Sequence, residues 1–163
     1  MTESETTFKK GELDKSKVTF QLEMIGDVWD EFMHLAEQHW EETEQYYDEP
    51  LDVNKEAYLN YSKIGYHRLY TIRYDGKYIG HAGMYVTLKT MHCNIGKAAE
   101  DVWFVEKPYR GMFFKDFYNW VEADLKSLGV SLISITTKVT NGTGTIALAF
   151  GFEHIANEYM KRI

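Results

Sequence analysis

The stretch "VEKPYRGMFFKDFYNWVEADLKSLGV" (residues 105–130) decides the fold of this chain. It begins as the end of a strand and finishes as a helix. Phe114, Phe117, Val121, Leu125 and Leu128 recur at intervals of three and four, which predicts one apolar helical face. Gly129 is placed to end that helix as its C′ residue. Between strand and helix lies "KPYRGMFFK" (107–115), in which Lys107, Arg110 and Lys115 surround Gly111. A helix N-terminus with unsatisfied N–H groups and nearby cations suits an anion.

On either side the elements follow in mixed order. "KVTFQLEMI" (17–25) reads as a strand, and Asp27 is placed to cap a helix running to about Gln45. A short helix over about 53–64 ends near Gly65. "HRLYTIRYDGKYIGHAGMYVTL" (67–88) carries Asp75-Gly76 between two β-rich runs, a strong hairpin signal. "AEDVWFV" (99–105) is a third strand of this meander. "VSLISITTK" (130–138) is a strand parallel to it across the helix. A short helix over 143–150 and a final strand over 152–163 complete the order. The fold class expected is α+β, or mixed α/β, with helices on both faces of one sheet.

The 163 residues suit one domain at 18–163, with 1–17 as a loose polar arm. Hydrophobic residues make up 44% and aromatics 15%, enough for a core and some groove lining. The net charge of −7 argues against nucleic acid as the main partner, since phosphate neutralisation needs a basic surface. It favours amines. Cys93 is the single cysteine, so an internal disulfide and a cysteine-built metal site are ruled out. His34 and His39 are five apart on one helix and do not share a face, and no metal is expected. Without an apolar run near the ~20 residues that span a bilayer, no membrane partner and a cytoplasmic location are expected.

Two segments carry a family resemblance. In 99–130, Val105, Pro108, Arg110 and Gly111 match the strand, "V-x-P-x-x-R-G-x-G-x-G/A" and amphipathic helix of the GNAT superfamily of acyl-coenzyme A-dependent N-acyltransferases. In 146–163, Phe150-Gly151-Phe152 and Tyr159-Met160-Lys161 are similar to that family's closing pattern. The order of elements over 18–163 resembles the family as well, with the tone of its phage and bacterial members of unknown acceptor. The resemblance implies a central mixed sheet of about six to seven strands, an antiparallel meander followed by a parallel pair. It implies acetyl-coenzyme A as cofactor and an acetyl transfer to a small-molecule amine or a protein lysine, by a monomer or homodimer.

The resemblance also distributes roles. Gly111 and the amides of Met112, Phe113, Phe114 and Lys115 would hold the pyrophosphate, with charge from Arg110. Phe104 and Val105 would lend main-chain groups to the pantetheine arm, at a gap where this strand splays from 130–138. Asn141 would hydrogen-bond the same arm. The amine must lose a proton to attack, and Glu100 is preferred as its acceptor, with Asp101 the alternative. Adjacent strand residues face opposite sides, so one of the two reaches the groove. Tyr159 is a candidate general acid. Glu41, Glu42, Glu44 and Asp48 form an acidic wall on the acceptor side.

Two departures stand out. Phe113 and Lys115 occupy positions where the family has small residues, and Ala147 stands where many members carry a tyrosine that protonates the departing thiolate. Both favour a rival reading, a non-catalytic protein of this fold that binds a partner through its acidic first helices.

Overall fold

The computed structural model describes residues 13–44 and 48–163. Strand β1 (Val18–Glu23) is followed by helices α1 (Trp29–Thr43) and α2 (Lys55–Lys63), then β2 (His67–Tyr74), β3 (Lys77–Thr87) and β4 (Gly96–Val105). Helix α3 (Phe114–Ser127), β5 (Val130–Ser134) and α4 (Thr143–Ala149) complete it. The strands form one sheet in the order β1-β2-β3-β4-β5, antiparallel until the parallel β4–β5 pair. This is the expected mixed architecture.

Local chemistry accounts for most boundaries. Asp75 and Gly76 both take positive φ (51° and 82°), the left-handed pair of a two-residue hairpin turn. Gly129 ends α3 at φ 90°. Asn54 caps α2 by accepting from the Ala57 N–H at 3.0 Å. Asp27 does not cap α1. The chain turns at Met24–Asp27 instead, and Val28 holds the cap position with no side-chain bond.

One core lies between the sheet and α3. Tyr70, Ile72, Ile79, Met84 and Ala98 meet Phe113, Phe117, Val121 and Leu125 there. The other lies under α1, where Phe32, Leu35 and Ala36 pack on Leu69, Tyr78, Val102 and Phe104. Burying a side chain such as Phe117 or Leu35 stabilises by about 1.5–3 kcal/mol.

One expectation is corrected. Residues 152–163 form no strand, so the sheet has five strands rather than six or seven. Of the segment's large apolar residues, Phe152, Ile155, Tyr159, Met160 and Ile163, all but Phe152 are exposed. A strand buries one face at a period of two, and this pattern offers no such face. The expected loose arm lies, for residues 1–12, outside the described residues. Its end is fastened: Leu13 is buried and Lys15–Lys17 form a 3₁₀ turn capped by Asp14.

Candidate active site

The β4–β5 pairing runs only from Gly96↔Val130 to Ala99↔Ser134, while β4 continues to Val105. Where the strands part, a cavity of about 590 Å³ opens. Its walls come from β4, the start of α3, residues 135–138, α4 and the last turn of α1.

Glu100 and Asp101 both line it. Simple alternation forbids this, and the exception is a bulge in β4. Gly83 pairs with Val102 and Met84 with Glu100, so Asp101 is left unpaired. The extra residue reverses the facing of the strand: Ala98 lies in the α3-side core, Val102 and Phe104 in the α1-side core. Glu100 Oε2 accepts from the Thr136 N–H at 2.8 Å, bridging the parted strands. Burial, reinforced by the Asp101 charge and opposed by that bond, pushes its carboxyl from 4.5 to about 7.

Asp101 is held on the other side. Its Oδ2 accepts from Tyr58 Oη at 2.7 Å and lies 3.1 Å from His67 Nε2. Burial alone would raise its pKa. The bonds from His67 and Tyr58, with a further one from Tyr85, instead hold it below the usual carboxylate range. Gly83 makes the contact possible, since a Cβ there would come within 2.8 Å of His67 Nε2 and 3.3 Å of Asp101 Oδ2.

At the mouth, Arg110 is engaged. Its guanidinium forms a bidentate pair with Glu42 at 2.6 and 2.9 Å, its Nε donates to the Val105 carbonyl at 2.7 Å, and it lies over the Phe104 ring. Gly111 takes φ 78° and has open space where a side chain would be. Met112 packs against the α3-side core, and Phe113 is buried in it beside Tyr74, so the phenylalanine does not crowd the loop. Phe114 and Lys115 line the cavity, Phe114 against Trp103, Tyr118 and Phe150. Asn141 also lines it, but its Oδ1 is occupied by the N–H and hydroxyl of Thr143.

Tyr159 is not brought to the cavity. It is 87% exposed, because the segment that carries it adds no strand to the sheet. The acidic wall is also changed. Glu42 pairs with Arg110 and, at 4.0 Å, with Lys107; Glu44 pairs with Lys138 at 2.7 Å. Both carboxylates that line the cavity from α1 are thus neutralised from within the chain. Glu41, on α1, and Asp48 lie outside this cavity, in a separate depression with Trp40 and Glu49.

Sequence reasoning missed Tyr118, Trp103, Tyr58, His67 and Lys138. Tyr118 had a legible signal, one helical turn after Phe114 on the cavity side. The others are joined to the site only by long-range packing. The matched Phe150-Gly151-Phe152 has a structural meaning of its own. Gly151 is left-handed, the Phe152 N–H returns to Ala147 O and the Gly151 N–H to Leu148 O. This cap sets both rings against Tyr118.

No family model and no curated protein matches the chain. Solved structures do. An aminoglycoside acetyltransferase from an uncultured soil metagenomic sample, in complex with trehalose, is similar at a TM-score of 0.70 and 12% identity, over 91% of this chain and 99% of that one. A ribosomal-protein-alanine N-acetyltransferase from Brucella melitensis biovar Abortus 2308 is similar at 0.65 and 15%, over 90% and 99%. AAC(6')-Iy, in complex with a bisubstrate analog of coenzyme A and acetylneamine, is similar at 0.65 and 17%, over 90% and 99%. Over 90–91% of its length this chain, with a five-stranded mixed sheet whose parallel pair parts over a cavity, thus shares the fold of these structures, a GNAT-like fold.

Proposed function

We propose that the chain is an N-acetyltransferase that moves an acetyl group from acetyl-coenzyme A directly to a primary amine in a ternary complex. The observation that carries this reading is Glu100, a carboxylate poised at about 7 inside the cavity between the parted strands. A primary amine has an ordinary pKa of about 10.4 and must lose a proton before it attacks. A base with a pKa near the working pH is best matched to take it.

The mouth of the cavity fits a phosphate-bearing group. The first-turn N–H groups of α3 have no intrahelical partners, and the helix dipole favours anions there. Gly111 leaves the approach open, Phe113 is turned into the core, and Arg110 and Lys115 supply charge. Arg110, now paired with Glu42, would be one of the residues to hold the phosphate. Acetyl-coenzyme A, when bound, supplies the acetyl thioester that the amine attacks. Glu100 accepts the amine proton on Oε1, the oxygen that Thr136 does not hold. A backbone N–H near Val105 polarises the acetyl carbonyl. The C–N bond forms, the C–S bond breaks, and the sulfur takes a proton. Tyr118, which lines the cavity, is the candidate donor in place of the tyrosine missing at Ala147. Cys93 is exposed and needs no part in the reaction.

The test is calorimetric titration with coenzyme A and acetyl-coenzyme A, followed by thiol-release assays with amines. Micromolar binding that weakens in Arg110→Ala, with amine-dependent thiol release lost in Glu100→Gln, supports the reading. Absence of binding by either ligand overturns it.

A further inference from the structure

Glu100 and Asp101 are neighbours on one cavity wall, and they are held in different ways. Among the described residues Glu100 accepts from the Thr136 N–H alone, through Oε2. The charged groups that face it from other elements, Lys138 and Glu44 of α1, are paired with each other at 2.7 Å. Asp101 is the bulged residue of β4, and other elements converge on it. Tyr58 of α2 donates to Oδ2 at 2.7 Å, and His67 of β2 lies 3.1 Å from the same oxygen. A carboxylate can only accept, so His67 Nε2 is the donor of that pair. Tyr85 of β3 adds a further bond.

Packing fixes these donors. His67 is 1% exposed. The Tyr58 ring stands edge-on to the His67 ring at 5.0 Å and 89°, and it lies 5.6 Å from the Phe32 ring of α1. The Tyr85 ring meets His67 from the other strand at 5.3 Å. Deeper on the same face, His81 of β3 is buried and bonded to Tyr78, and His39 of α1 lies against Phe104. The donors thus belong to the folded frame and do not depend on a ligand.

Two consequences follow from this geometry. An ionised carboxylate has about four lone-pair sites, and the donors around Asp101 occupy most of them. Glu100 keeps its Oε1. A negative charge beside Glu100 also opposes its ionisation, and every O–H or N–H aimed at Asp101 offsets part of that charge.

Resting on the reading of Glu100 as the acceptor of the amine proton, we propose that Tyr58 and His67 are positioning residues for this base. They fix Asp101 as a standing anion beside Glu100, so that Glu100 takes the proton and Asp101 does not. Tyr58 acts through Asp101 and touches no reacting atom.

Carbon NMR of the side-chain carboxyls against pH reads both acids directly, with no acceptor needed. Glu100 is identified by the signal lost in Glu100→Gln, and Asp101 by the signal lost in Asp101→Asn. In wild type, Asp101 is expected to be fully ionised where Glu100 titrates. Tyr58→Phe keeps the ring and its packing but removes the donor. It is expected to move the Glu100 midpoint up by about 0.3–1 pH unit, whereas Asp101→Asn moves it down. In the double variant Tyr58→Phe/Asp101→Asn, the midpoint equals that of Asp101→Asn, since the path from Tyr58 runs through Asp101. A merely structural role for Tyr58 would move none of these midpoints. A Glu100 midpoint unmoved by Tyr58→Phe, a shift that persists in the double variant, or an Asp101 that titrates together with Glu100 overturns the proposal. None of these results bears on whether the cofactor binds. Failure to bind acetyl-coenzyme A by calorimetry removes the underlying reading instead.

Discussion

Replacing Glu100 by Gln tests the chemistry at its centre. With its carboxyl at about 7, Glu100 is about one-tenth ionised at pH 6, half at pH 7 and nine-tenths at pH 8. In wild type, kcat/KM for the amine is therefore expected to fall about tenfold per unit below pH 7. The amine's own ionisation, near 10.4, bends the profile only near pH 10, so a break at pH 7 belongs to the enzyme. In Glu100→Gln, kcat falls by roughly 10²- to 10⁴-fold, the usual contribution of a positioned base, and the break at pH 7 disappears from the residual rate. Asp101→Asn supplies an internal check. Its charge helps to hold Glu100 up, so its removal moves the limb to lower pH, by up to about one unit for adjacent like charges in a partly solvated site. The assay is initial-rate thiol release between pH 5.5 and 9. A Glu100→Gln variant with full kcat, or one whose profile keeps the break near pH 7, refutes the assignment and moves the base to another cavity group such as His39.

The same carboxyl makes a stability prediction. Its folded pKa lies above the unfolded 4.5, so the native state binds more protons between pH 4.5 and 7, and Glu100 contributes a penalty that grows with pH across that window. Glu100→Gln is therefore expected to exceed wild type at pH 8 by up to about 3 kcal/mol and to match it near pH 4.5, measured by urea unfolding at both pH values. Glu42→Gln should tighten coenzyme A binding about 2- to 5-fold, the value of a partly exposed ion pair, because Arg110 no longer has to leave a carboxylate. Arg110→Ala should weaken it about tenfold, and calorimetry on the two variants separates the effects. Gly83→Ala forces a Cβ to 2.8 Å from His67 Nε2 and 3.0 Å from Val102. A loss of about 1–3 kcal/mol is expected, with a lower midpoint in urea.

The elements were legible wherever their cause is local. Asp75-Gly76 specifies its turn through two left-handed residues, and the Phe114–Leu128 spacing specifies α3 together with its stop at Gly129. "KPYRGMFFK" announced a cation-rich helix start from residues within one short loop. The segment 152–163 misled because apolar residues and a matching motif were present, while the alternation that buries a strand was not.

By itself, the sequence determined the kind of fold, the place of the parallel crossover and the pair of acids at 100 and 101. Only the tertiary structure decided what those groups do. Register between β3 and β4 arises from strands packing together, and it alone created the bulge that lets Glu100 and Asp101 both reach the cavity. Arg110 and Glu42 are 68 residues apart, Lys138 and Glu44 are 94 apart, and His67 and Asp101 are 34 apart. A charge's partner depends on which surfaces the packed core brings together, so cations that read as free for an anion, and acids that read as free for an amine, meet each other first. Phe113 follows the same logic: beside a glycine loop it reads as an obstacle, and the direction of α3's first turn buries it in the core.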